Sequence, residues 1–174
     1  MRLFIAAELP EELLEALSET SAALRDAVAG RYVAPSNFHV TLAFLGETDG
    51  GRVAELAELL DDACAGFEPI PVSLGALGNF GRAQRATLWQ AVESEHGLEA
   101  LADAIRKRLA QGGFSYDEKG FLAHMTLMRS ADISRGELPM PQVARGSVED
   151  VSLFKSDLSG KHPVYMPLHT VRLA

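Results

Sequence analysis

The chain repeats itself. Displaced by 85 residues, Phe4 falls on Trp89, His39 on His124, Thr41 on Thr126 and Leu42 on Leu127. The apolar stripe of Leu13–Leu24 falls on Leu98–Leu109. With a displacement of 79, Val72-Ser73-Leu74 falls on Val151-Ser152-Leu153, so the second copy is about six residues shorter, in its less helical stretch. Two copies of one supersecondary unit, each too small for a core of its own, are expected to pack as lobes about a pseudo-two-fold, equivalent strands facing.

Each copy reads strand–helix–strand–helix–strand. The first places strands at Arg2–Glu8, Phe38–Leu45 and Ile70–Leu77 around helices at Glu11–Ala29 and Arg52–Ala65. The second places strands at Thr87–Val92, Leu122–Met128, Val148–Phe154 and Val164–Leu173, with a helix at Leu98–Ala110. Between Arg129 and Gly146, Pro139 and Pro141 limit any helix to a short one. No linker-like composition separates the copies, repeat 1 covering about 1–80 and repeat 2 about 85–174. The 174 residues therefore read as a single two-lobed domain.

A hydrophobic fraction of 47% and a charged fraction of 23% exclude disorder. No run approaches 18 apolar residues, so no membrane span is expected, and the N-terminus lacks the long apolar region of a signal peptide. The lone Cys64 falls on a helical apolar stripe and reads as a buried thiol, which fits a reducing cytoplasm. A net charge of −8 argues against a phosphate-tracking duplex-binding face and leaves room for a local phosphate site.

The chemistry lies in a duplicated H-x-T-L: His39-Val40-Thr41-Leu42 and His124-Met125-Thr126-Leu127. Shuffling this composition yields roughly 0.02 such tetrads. Residues i and i+2 of a strand share a face, so each copy sets an imidazole beside a hydroxyl and turns the intervening residue inward. Two lobes then face two imidazoles across a cleft. One can donate a proton to a leaving oxygen while the other takes one from the nucleophile, and threonine hydroxyls can donate to phosphate oxygens. The alternative, two satisfied core histidines, requires burying adjacent polar residues twice with compensation each time. Zinc is disfavoured because neither histidine has a second ligand two to four residues away and no H-E-x-x-H occurs.

The segment Arg31–Glu47 (RYVAPSNFHVTLAFLGE) closely resembles the first signature of the two-histidine phosphoesterases, and Phe121–Arg129 (FLAHMTLMR) resembles the second. Within them the chain is most similar to the RNA 2′,3′-cyclic phosphodiesterases, historically called 2′–5′ RNA ligases. The tail Val151–Ser156, with Gly160 and Tyr165, is similar to the family's last hairpin. Ala123 departs from the proline usual before the second histidine. The resemblance implies a bilobal α+β fold with antiparallel sheets flanking a central cleft, no metal and no cofactor. It also implies hydrolysis of RNA 2′,3′-cyclic phosphate ends to 2′-phosphates by a monomer acting on RNA termini. His39 would be the proton donor and His124 the acceptor; Thr41 and Thr126 would hold phosphate oxygens, and Arg129 would lie near the phosphate.

Strict alternation sends Arg129 to the face opposite His124, so it reaches a cleft only if the strand ends or bulges there. Phe44 alternates onto the core face and is assigned there in preference to base stacking. His96, His162 and His169 lack partners at meaningful spacing and read as surface or structural residues. The basic loop Gly78–Arg85 is either an RNA guide or a solvated hairpin. Three functions stay open: hydrolysis, ligation by an RNA hydroxyl replacing water, and non-catalytic binding of phosphorylated RNA ends.

Overall fold

A computed structural model describes residues 1–174. In chain order the strands are β1 (Arg2–Glu8), β2 (Arg31–Tyr32), β3 (Val40–Glu47), β4 (Ile70–Phe80), β5 (Ala86–Glu93), β6 (His124–Ala131), β7 (Arg145–Val148), β8 (Asp150–Asp157) and β9 (Val164–Arg172). The helices are α1 (Glu11–Ala27), α2 (Val53–Cys64) and α3 (Gly97–Gln111). No helix is long and apolar enough to cross a membrane.

The strands form two antiparallel sheets, ordered β3-β1-β8-β9 and β2-β6-β5-β4-β7. Each contains a pair of equivalent strands, β1–β3 in one and β5–β6 in the other. The third strand of each repeat crosses over: β4 pairs with β5, and β8 pairs with β1. The copies thus exchange their last strands, and the sheet boundary does not follow the repeat boundary near residue 80. This exchange knits one continuous core of 38 buried residues from both halves.

α1 contributes Leu13, Leu17 and Leu24 to that core, α2 Leu56, Leu60 and Cys64, and α3 Leu98, Leu101, Ile105 and Leu109. Burial pushes the Cys64 thiol up to about 12, with Asp61 adding to the shift, so it is inert at neutral pH. β1 is covered on both faces. Leu3, Ile5 and Ala7 enter the main core, whereas Phe4 and Ala6 form a second small cluster with Phe154. Its sequence is accordingly an unbroken apolar run.

The expected elements are present to within a few residues at their ends, with three differences. β4 extends to Phe80, the short pairings of β2 and β7 are additional, and the second copy has no second helix. Residues 132–144 run without helix or strand, in keeping with Pro139 and Pro141.

Candidate active site

A cavity of about 550 Å³ lies between the sheets, and its lining includes His39, Thr41, His124, Thr126 and Arg129. The structure therefore brings together all five residues singled out in the sequence. The two histidine segments touch across it, the His39 backbone N–H donating to Met125 Sδ at 3.0 Å.

His39 sits between a 3₁₀ turn (Pro35–Asn37) and β3. Its ring stacks on Phe4 with centroids 4.9 Å apart and meets Tyr165 edge-on at 5.1 Å. The turn is anchored by Asn37 Nδ2, which donates to the Pro163 carbonyl at 2.8 Å and ties this segment to the β8–β9 hairpin. His124 opens β6 and meets Phe80 and Trp89 edge-on at 5.4 and 5.8 Å. Trp89, the repeat equivalent of Phe4, lies so close over Gly78 that a Cβ there would stand 2.3 Å from the indole. Ala123, despite replacing the usual proline, is buried and pinned by its carbonyl, which accepts from Val92 N–H at 3.1 Å.

The two imidazoles differ electrically. His124 Nδ1 is 2.5 Å from the Leu122 carbonyl. A carbonyl only accepts, so Nδ1 carries the hydrogen and Nε2 is left as the free position. His39 is lowered to about 4, foremost by burial among aromatic rings. The backbone at Asn37 opposes the shift, and the positive charges of Arg129 and His124 add to it. In the free protein this ring is neutral at neutral pH.

That shift has a consequence for stability. The unfolded ring titrates near 6.5 and the folded one near 4, so between these values the unfolded chain binds more protons. His39 therefore favours folding less as pH falls from 6.5 toward 4. The stability difference between wild type and His39→Gln, measured by urea unfolding, is expected to move in the variant's favour between pH 7 and pH 5. A difference constant with pH contradicts this.

One structural device places two residues against alternation. β3 carries a bulge at Leu42, where Ala43 pairs with Ile5 and Thr41 with Ala6. β6 carries the equivalent bulge at Leu127, where Met128 pairs with Leu88 and Thr126 with Trp89. Both bulge pairs, Leu42-Ala43 and Leu127-Met128, are buried. The extra residue inverts the parity of the strand beyond it. Arg129 thus lines the cavity, and Phe44, its repeat equivalent, does too. The assignment of Phe44 to the core is corrected: it packs beside the small Phe4 cluster and faces the cavity.

His162, read as a surface or structural residue, lines the cavity, whereas His169, bonded to Asp61 Oδ1 at 2.7 Å, and His96, just before α3, lie outside its lining. Of the Gly78–Arg85 segment, Phe80 reaches His124 but Arg82 and Arg85 lie outside the cavity lining. The sequence reading missed Arg2, Arg31 and Lys161, which also line it. Arg2 was readable, since it shares a strand face with Phe4; Arg31 and Lys161 arrive from distant segments. None of these three, nor Arg129, is ion-paired, and no carboxylate lines the cavity. An average twenty residues of this chain would carry about three carboxylates, so the cavity is a positive site on a negative protein. No three His, Cys, Asp or Glu side chains are grouped to hold a metal ion.

The arrangement sets the His39 and His124 imidazoles, the Thr41 and Thr126 hydroxyls and unpaired cations around one space, a set suited to an anion that gains and loses protons. An RNA 2′,3′-cyclic phosphodiesterase of Archaeoglobus fulgidus is 31% identical over 97% of this chain and 98% of its own length. One of Geobacillus stearothermophilus is 31% identical over 93% of this chain, which spans 54% of that longer relative. A solved structure from Thermus thermophilus superposes with a TM-score of 0.87 at 28% identity, covering 99% and 98% of the two chains. The 2′-5′ RNA ligase superfamily profile matches residues 10–157, and the chain belongs to that superfamily.

Proposed function

We propose that this protein hydrolyses RNA 2′,3′-cyclic phosphate ends to 2′-phosphates, with His39 and His124 as its acid and base. The reading is carried by the cavity itself, which joins both His–Thr pairs to unpaired cations and excludes carboxylates. The activity named for the relatives agrees with it.

In this mechanism the His124 Nε2 lone pair takes a proton from water as the water oxygen bonds to phosphorus. The P–O3′ bond breaks, and His39 gives its proton to the departing 3′-oxygen. One water is consumed, a 2′-phosphomonoester and a 3′-hydroxyl form, and the histidines exchange protonation states, reset through solvent. Thr41 and Thr126 hydroxyls donate to the non-bridging oxygens, and Arg129 offsets their charge. The free His39 ring is neutral at neutral pH, so substrate binding must protonate it. The phosphate's negative charge supplies the reason, by giving the charged ring a partner where burial disfavours it and by opposing the repulsion from Arg129.

The test is incubation of EDTA-treated protein with an oligonucleotide bearing a 2′,3′-cyclic end. A 2′-phosphate product at catalytic turnover is expected. Stoichiometric capture without product would favour a binding module. Joined RNA as the main product, at micromolar ends, would favour ligation.

A further inference from the structure

The cavity holds more positive charge than the reacting group needs. A 2′,3′-cyclic phosphate is a diester with a single negative charge. Arg31 and Arg129 stand directly opposite each other on β2 and β6, a like-charge pair that is unfavourable until an anion lies between or above it. These two arginines already exceed that one charge. Arg2 and Lys161 remain, unpaired, on the side of β1 and the β8–β9 hairpin.

The pseudo-symmetry says what that second side is. The bulge that turns Arg129 into the cavity in one sheet turns Phe44 into it in the other. Phe44 has no charge, but the Arg2 guanidinium lies over its ring at 4.8 Å. Each half of the cavity therefore presents a cation at the equivalent place, carried directly on one side and seated on an aromatic ring on the other. Arg129 lies on the strand that His124 opens, at the reacting end. Arg2 lies on the face of β1 that carries Phe4, one pleat beyond the ring that stacks on His39, and Tyr165 meets both Phe4 and His39 edge-on.

We propose that Arg2, seated on Phe44, and Lys161 form a second anionic subsite for the phosphodiester on the 5′ side of the terminal nucleotide. The protein thereby selects RNA ends over cyclic mononucleotides. The inference rests on the hydrolytic reading above and names its substrate class. A nucleoside 2′,3′-cyclic phosphate with a free 5′-hydroxyl has nothing to place there. A dinucleotide with the same cyclic end has one internal diester, and a longer RNA has more.

The experiment compares kcat/KM for those two substrates. Wild type is expected to favour the dinucleotide by at least about tenfold, the scale of a charge-assisted contact. In Arg2→Gln/Lys161→Gln the preference should fall close to parity, through loss on the dinucleotide. Arg82→Gln/Arg85→Gln, outside the cavity lining, should keep it. Equal use of both substrates by wild type overturns the proposal, as does a double variant that loses both equally. Should wild type turn over neither, the hydrolytic reading is what has failed. The subsite is then decided by calorimetric binding of the 2′-phosphorylated mononucleotide and dinucleotide, where the same tenfold preference and its loss are required.

Discussion

His39→Ala and His124→Ala are each expected to lower turnover of a cyclic-phosphate end by at least ~100-fold, the usual scale for losing a general acid or base. The double variant should be far less impaired than the product of the two losses. Once either proton transfer is gone the other no longer assists a concerted step, and residues that act as a unit are non-additive. The wild-type pH profile should be bell-shaped, its two limbs belonging to the pair because the imidazoles influence one another. Removing the His39 ring also strips a stacked partner from Phe4 and an edge contact from Tyr165. His39→Gln retains more of that packing, and it should be equally inactive while unfolding like wild type in urea at pH 7. Full activity in either alanine variant would remove the acid–base pair from the mechanism.

The same residues show where a linear reading succeeds and where it stops. His39 with Thr41, and His124 with Thr126, were readable because residues two apart on a strand share a face whatever lies beside the strand. Phe44 and Arg129 were not, because their orientation depends on bulges at Leu42 and Leu127. A bulge is a property of two paired strands, and one strand's sequence does not state its register with another. The repeat was legible as similarity, but the exchange of β4 and β8 between sheets was not, since it concerns which partner each third strand finds. Pro139 and Pro141 limited the second copy's second helix to a short one, and the structure has none. The positive character of the cavity was hidden by averaging: a chain of net charge −8 assembles Arg2, Arg31, Arg129 and Lys161 from four separated segments.

The roles of the two histidines are separable by the leaving group. A 3′-oxygen leaves as a basic alkoxide unless it is protonated, so loss of the acid should be severe on RNA. A nitrophenyl phosphodiester expels a far more acidic phenol, which departs without a proton, while attack by water still requires a base. The proposed mechanism makes His124 the base: with its Nδ1 hydrogen committed to the Leu122 carbonyl, Nε2 is left to accept. In that mechanism His39, lowered to about 4 in the free protein by burial, regains its proton beside the bound phosphate and gives it up as negative charge collects on the leaving oxygen. On the nitrophenyl substrate His39→Ala should therefore recover most of its lost activity, to within about tenfold of wild type, and His124→Ala should remain impaired by ~100-fold or more. Rescue of His124→Ala alone would exchange the two roles, with the cavity and its pair unchanged. Rescue of neither would mean that protonation of the leaving oxygen is not what His39 supplies, and its part would then be confined to binding the phosphate.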